Sequence, residues 1–162
     1  MAKPGPVEAR LQELGITLPS APKPAAAYVP SVRVGELLFV SGVGPTVDGK
    51  PRYTGQVPKD LSIEQGQDAA RICAMNLLAI ARDAAGLERI VRVVKLVGFV
   101  NSVPGFAEQH KVVNGASEFM VQVLGDRGKH ARSAIGVQGL PLDFAVEVEA
   151  VFQLDQGPYG IH

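Results

Sequence analysis

Apolar positions recur along this chain with two periods, and the changes of period mark out its elements. Val7, Leu11 and Leu14 lie at helical spacing, so a short helix is expected over residues 7–14, with Gly15 as its stop. Pro19, Pro22 and Pro24 then fix φ at three places in an extended linker. Residues 27–34 alternate in part, with Val32 and Val34 on one face. Residues 36–42 (ELLFVSG) are more continuously apolar, as in a buried strand, and Gly35 suits a tight hairpin between the two. Residues 43–58 are rich in Gly and Pro and contain Asp48-Gly49, which predicts a loop with a turn. Ser62 opens the clearest helix, with Gln65 placed to complete a capping box. Ala69, Ile72, Cys73, Leu77, Ile80 and Ala84 keep its apolar face, and Gly86 ends it.

The second half reads in the same way. Residues 90–100 (IVRVVKLVGFV) form a strand, and Pro104-Gly105 breaks the chain. Residues 106–124 form a second long helix, with Gly115 as a local weak point. Residues 125–129 are turn-like, 131–137 strand-like, and Leu140 to Asp143 a turn. Residues 144–154 then alternate, with Phe144, Val146, Val148, Ala150 and Phe152 on one face and Glu147 and Glu149 on the other. The last two strands are expected to pair as a hairpin. The order is β-β-α-β-α-β-β, an α+β fold with one mixed sheet and two helices on one face. The other face of such a sheet must be polar or covered by another subunit, and the apolar strands favour oligomerisation. The expected division is a helix and proline linker over 1–26, the main domain over 27–154 and an exposed tail over 155–162.

The bulk properties narrow the function. The chain has 162 residues, 46% of them hydrophobic and 20% charged, enough for one well-packed domain. Lys+Arg and Asp+Glu each number 16, and this zero net charge argues against a broad nucleic-acid-binding surface. It also leaves little repulsion to oppose self-association. The single cysteine, Cys73, excludes an intramolecular disulfide and reads as a small buried helix residue. With no second Cys and no His cluster, neither a zinc site nor a cysteine nucleophile is expected. There is no signal-like apolar segment and no apolar run of about 18 residues, so a cytoplasmic protein without membrane attachment is expected. Gly42-Val-Gly44 lacks the third glycine of a dinucleotide motif, and no P-loop or H-E-x-x-H is present. His110, His130 and His162 are widely spaced, and His130 reads as a solvated loop residue.

Arg132 is more informative. An arginine at the start of an apolar strand must keep its guanidinium solvated or paired. Its planar fork suits a carboxylate held by two hydrogen bonds, although from the residues alone an ordinary strand-end salt bridge is the plainer reading. Glu147 and Glu149 share one side of their strand, where carboxylates are costly unless exposed, paired or hydrogen-bonded. If the last two strands form a hairpin, Arg132 and a glutamate share a neighbourhood. That site could bind a small acid and place a water beside it. The bland alternative is a structural pair or an oligomer contact.

Several blocks occur in one order: Tyr28-Val29, Phe39-Val-Ser41-Gly42, Asn76-Leu-Leu-Ala79-Ile80, Ala84-Ala-Gly86-Leu87, Ala131-Arg132-Ser133 and Leu140-Pro-Leu-Asp-Phe-Ala-Val-Glu147-Val-Glu149-Ala150. Together they resemble the Rid family of enamine/imine deaminases, also labelled L-PSP endoribonucleases and translation-inhibition proteins. The resemblance covers most of residues 27–154, and the N-terminal helix with its linker looks like a longer subgroup. It implies a chorismate-mutase-like homotrimer, with a central barrel, outer helices and ligand clefts between neighbours. It implies that Arg132 binds the carboxylate of a 2-imino or 2-oxo acid and that Glu147 holds the hydrolytic water. Tyr28, Ser41 and Gly42 would line the cleft with Asn114, and the backbone amide of Ala134 would contact the ligand. Two positions depart from the family pattern: Ala134 stands where cysteine is common, and Val43 where glutamine is.

The implied activity is hydrolysis of small 2-imino or enamine acids to 2-oxo acids and ammonia. Such substrates are already electrophilic, so no metal, flavin or pyridoxal cofactor is required. Ala134 and Val43 motivate an alternative, a carboxylate-binding or regulatory trimer without turnover. An endoribonuclease is the weakest alternative, given the neutral charge and the lack of an acid–base histidine pair.

Overall fold

The computed structural model describes residues 3–157; the predicted tail beyond Gly157, with His162, lies outside the described residues. The main sheet has five strands: β1 (Ser31–Val34), β2 (Leu37–Val43), β5 (Ile90–Asn101), β6 (Ala131–Val137) and β7 (Val146–Leu154). Their spatial order is β1-β2-β7-β5-β6. All neighbours are antiparallel except β5 and β6, which run parallel. The expected loop over 43–58 contains a small hairpin, β3 (Thr46–Val47) and β4 (Lys50–Pro51), turning at Asp48-Gly49.

Two long helices, α2 (Ile63–Ala85) and α3 (Gln109–Leu124), lie on one face of this sheet. The capping box is present: Gln65 N–H donates to Ser62 Oγ at 3.1 Å, and Ser62 N–H donates to Gln65 Oε1 at 2.9 Å. The expected start of α3 at residue 106 is corrected to Gln109, because the turn at Pro104-Gly105, with Gly105 at φ +83°, extends through Phe106. The core lies between helices and sheet. Leu38 and Val40, alternate residues of β7 from Val146 to Leu154, and Ile90, Val93, Leu96 and Val100 of β5 face Leu77, Phe119 and Met120.

The short helix α1 (Pro6–Glu13) docks on this body through Val7 and Leu11, both buried. Its N-terminus has no cap of its own. Glu88 supplies one from afar, accepting the N–H groups of Val7 and Glu8 at 2.9 and 3.1 Å. The proline linker then crosses α2, where Arg82 donates to the carbonyl of Pro19.

The sheet is covered on one side only. Residues 36–42 are not uniformly buried as expected: Leu38 and Val40 point into the core, while Leu37 and Phe39 point out. The open face carries Val32, Val34, Phe39 and Ile135 at 51%, 63%, 45% and 44% exposure.

Gly115 is not a weak point but a contact. A Cβ there would stand 2.0 Å from the backbone oxygen of Gln67, where α3 crosses α2. Helix propensity alone makes Gly115→Ala stabilising by about 1 kcal/mol. Packing reverses the sign, and we expect a loss of about 2 kcal/mol or more, read as a lower denaturation midpoint in urea.

Candidate functional site

Arg132 occupies the outer end of an apolar row. Val40, Ala150, Leu96 and Arg132 are cross-strand partners in β2, β7, β5 and β6, so Arg132 lies on the helix face at the free edge of β6. Its Nη1 donates to Asn114 Oδ1 at 2.9 Å and to Ser117 Oγ at 3.0 Å, and its Nη2 donates to the carbonyl of His110 at 3.0 Å. The expected alternative of a strand-end salt bridge is not found: Arg132 forms no ion pair among the described residues. A cation is thus held in place by neutral groups, and its remaining donors have no partner among the described residues. Ala134 follows on the same face, paired with Gly98, and is partly buried.

His130 corrects the sequence reading. It is not a solvated loop residue but is half-buried, with Nε2 2.8 Å from Ser117 Oγ and Nδ1 2.6 Å from the carbonyl of Gly128. Burial holds its pKa below the ordinary imidazole value; the Gly128 carbonyl works against that shift and the charge of Arg132 adds to it. Ser117 carried no sequence signal, since one exposed-looking serine in a helix is ordinary. Asn114, which the resemblance placed in the cleft, reaches Arg132.

Glu147 belongs to a second group. Register pairs it with Phe99, on the open face, next to a bulge where β2 carries an extra residue between Val40 and Val43. A Cβ at Gly42 would lie 2.3 Å from Glu147 Oε1, so only glycine leaves room for this carboxylate. Burial raises the pKa of Glu147 above 4.5, and the nearby charge of Glu149 raises it further. It forms no ion pair among the described residues.

Ser41 sits at the same bulge and donates from Oγ to the carbonyl of Val29 at 2.7 Å. Ser41, Gly42, Val43 and the half-exposed Tyr28 line a cleft of about 580 Å³, walled by the proline segment and by Ile80, Leu142 and Phe144. Asn76 holds its floor. This buried amide donates from Nδ2 to the carbonyls of Gly44 and Thr46 at 3.1 and 3.0 Å. A lone asparagine within the apolar run CAMNLLAI was its signal.

The two groups do not meet within one chain. The expected hairpin of the last two strands does not form, because β5 lies between β6 and β7. Arg132 and Glu147 therefore stand on opposite faces, two strands and three residues apart, at a Cα separation of roughly 14 Å from strand geometry. Tyr28, Ser41, Gly42 and Glu147 gather near β2, whereas Arg132, Asn114 and Ala134 gather at the far edge. Among the described residues, no group of three or more His, Cys, Asp or Glu side chains is placed to hold a metal. Cys73 is buried, as expected, and its thiol pKa is raised by burial and by Glu147. None of the helices described is long and apolar enough to cross a membrane.

Residues 8–153 match the family model described as "YjgF/chorismate_mutase-like, putative endoribonuclease". The chain is 48% identical to protein TCP17 of Trypanosoma cruzi, over 93% of this chain and 96% of that one. It is 33% identical to the 2-iminobutanoate/2-iminopropanoate deaminase of Escherichia coli, over 84% and 94%. Among solved structures it is similar to Atu1372 of Agrobacterium tumefaciens, a protein of unknown function, at 47% identity and TM-score 0.86 over 93% of each chain. It is also similar to Escherichia coli TdcF with bound serine, at 27% identity and TM-score 0.61 over 83% and 94%.

The raised pKa of Glu147 has a consequence for stability. A carboxyl whose folded pKa exceeds its unfolded value favours the fold at low pH, and that contribution is lost as pH rises through the folded value. Glu147→Gln cannot ionise. The variant is expected to match the parent below about pH 4 and to be the more stable above the raised pKa, as measured by urea denaturation across that range.

Proposed function

The chain belongs to the YjgF/chorismate mutase-like family that includes the RutC and Rid proteins, and from that premise we propose that it hydrolyses 2-imino or enamine acids to 2-oxo acids and ammonia in clefts completed between copies of itself. The observation that carries this reading is Arg132: a guanidinium positioned by neutral acceptors, with donors to spare and no carboxylate of its own. A relative named for deamination of 2-iminobutanoate and 2-iminopropanoate, and another crystallised with serine, make a small carboxylate the natural ligand.

Assembly follows from the two separate groups. β6 and β1 are the two edges of the sheet, and the open face between them is apolar. A ring of three copies buries that face and brings the Arg132–Asn114 edge of one copy beside the Tyr28, Ser41 and Glu147 region of the next. Arg132 then holds the substrate carboxylate, with the Ala134 amide beside it. Glu147, half-buried and of raised pKa, takes a proton from water as the oxygen adds to the imine carbon and the C=N electron pair moves to nitrogen. That proton passes to the nitrogen to give the carbinolamine; Glu147 then takes the hydroxyl proton and relays it to the same nitrogen, the C–N bond breaks, and ammonia leaves as the carbonyl forms. These steps use only water and the side chains named, and the expected cellular setting is the cytoplasm.

Binding without turnover is the second reading, favoured by Ala134, which leaves no thiol beside Arg132. Ribonuclease activity comes last. Both nitrogens of His130 are occupied by Gly128 and Ser117, so the described residues offer no pair of unengaged imidazoles for acid–base work.

The cleft beside Tyr28 lies in the size range that buries drug-sized ligands, and its walls are mostly apolar. Imines generated in situ from leucine or phenylalanine by an amino-acid oxidase are therefore expected to be better substrates than 2-iminopropanoate. Arg132→Ala should reduce kcat/KM about a hundredfold, and Glu147→Gln should reduce kcat by about a hundredfold or more while sparing 2-oxo acid binding. Full activity in Arg132→Ala sinks the reading, and saturable binding with no turnover in the parent protein selects the second. Phe39→Asp should convert the trimer to monomers in sedimentation; an unaltered mass, or a parent protein that is monomeric, counts against the shared cleft.

A further inference from the structure

The hydrogen bonds around Arg132 admit one set of protons when the His130 ring is neutral. The carbonyl of Gly128 can only accept, so His130 Nδ1, 2.6 Å away, carries a proton. Arginine can only donate, so Ser117 Oγ accepts from Nη1 at 3.0 Å. His130 Nε2 lies 2.8 Å from that oxygen. With Nδ1 protonated and the ring neutral, Nε2 is an acceptor and takes the Ser117 hydroxyl proton. A doubly protonated ring would instead set a second cation beside Arg132, and half-burial of His130 already disfavours that form.

The chain of donors therefore runs in one direction, from Arg132 to Ser117, to His130, to Gly128. It fixes the rotation of the Ser117 hydroxyl, so that a lone pair rather than the proton faces the guanidinium. Asn114 and the His110 carbonyl complete the cradle from the same helix.

Building on the reading of Arg132 as carboxylate anchor, we propose that Ser117 and His130 are positioning residues: His130, held as the Nδ1–H tautomer, orients Ser117, which locks the Arg132 guanidinium before substrate arrives. An unsupported arginine loses much side-chain freedom on binding, and here that ordering is already done. Neither residue touches substrate. Because the anchor grips the carboxylate equally in ground and transition states, loosening it weakens binding and leaves the chemical step nearly unchanged.

The test uses the intact protein, 2-iminobutanoate formed in situ as substrate, and 2-oxobutanoate as calorimetric ligand. Ser117→Ala and His130→Leu should each raise KM and the 2-oxobutanoate Kd about tenfold, with kcat changed less than about twofold. His130→Gln, whose amide oxygen can accept the Ser117 proton, should recover most of the loss. Unchanged KM and Kd in both variants, a fall in kcat alone, or a glutamine variant no better than leucine overturns the proposal. Arg132→Ala separates it from the parent reading: if that change also leaves Kd unaltered, the anchor itself is wrong. If Arg132→Ala abolishes binding and the other two variants bind normally, only the positioning role fails. A measurement on the unmutated protein removes dependence on variant folding. Two-bond ¹H–¹⁵N correlation at neutral pH should show His130 as the Nδ1–H tautomer, and an Nε2–H or doubly protonated ring contradicts the proposal.

Discussion

The parallel pairing of β5 with β6 is the constraint on which the arrangement of this molecule depends. It places β5 between β6 and β7, so the strands that carry Arg132 and Glu147 never touch. It leaves β6 as a free edge. It also sets the register that aligns Arg132 with Leu96 and therefore with the helices, while Glu147 aligns with Phe99 on the face the helices leave open. Antiparallel pairing of β6 directly onto β7 would have put the two charges on neighbouring strands. The observed pairing divides them between the two faces of the sheet, one at its far edge and one nearer its middle.

The electrostatics of the two halves follow this division. Arg132 has a cradle of neutral oxygens and no counter-charge. Glu147 is half-buried, faces another carboxylate and has no cation partner. A single chain that keeps both groups in these states forgoes the stabilisation that pairing would give. Unsatisfied charges of this kind gather where a ligand or a partner is to be met. The two halves differ in sign: one presents a guanidinium, the other a pair of carboxylates. The open face adds the drive to assemble, because Val34 and Phe39 are exposed at positions where a monomer would place polar residues.

Much of this was legible from the residues themselves. The elements followed from periodicity, and Ser62 and Gln65 announced the start of α2 because a capping box is a local device. The uncovered sheet face followed from an element order that supplies two long helices for one side of the sheet. What escaped was non-local. A parallel β5–β6 pair and a hairpin of the last two strands fit the same alternation, because period-two patterns specify faces and not neighbours. Gly115 looked like a poor helix residue until α2 was seen to cross it at the backbone of Gln67. His130 and Ser117, from a turn and a helix, meet only through the tertiary fold. Family blocks brought Arg132 and Glu147 forward, but a pattern of residues carries no statement about which copy supplies each one.

Gly42 shows how closely backbone and chemistry are linked here. The β2 bulge displaces the strand so that an extra residue fits between Val40 and Val43, and the space so made is filled by the Glu147 carboxylate. A side chain at Gly42 would displace that carboxylate from the space the bulge leaves, and the burial that raises its pKa would lessen. The same bulge turns Ser41 to Val29 and opens the cleft beside Tyr28. One backbone irregularity thus sets both the basicity of Glu147 and the shape of the adjoining cleft. The proline segment then closes the outer wall of that cleft, so the backbone irregularity in β2 and the N-terminal extension together set its shape.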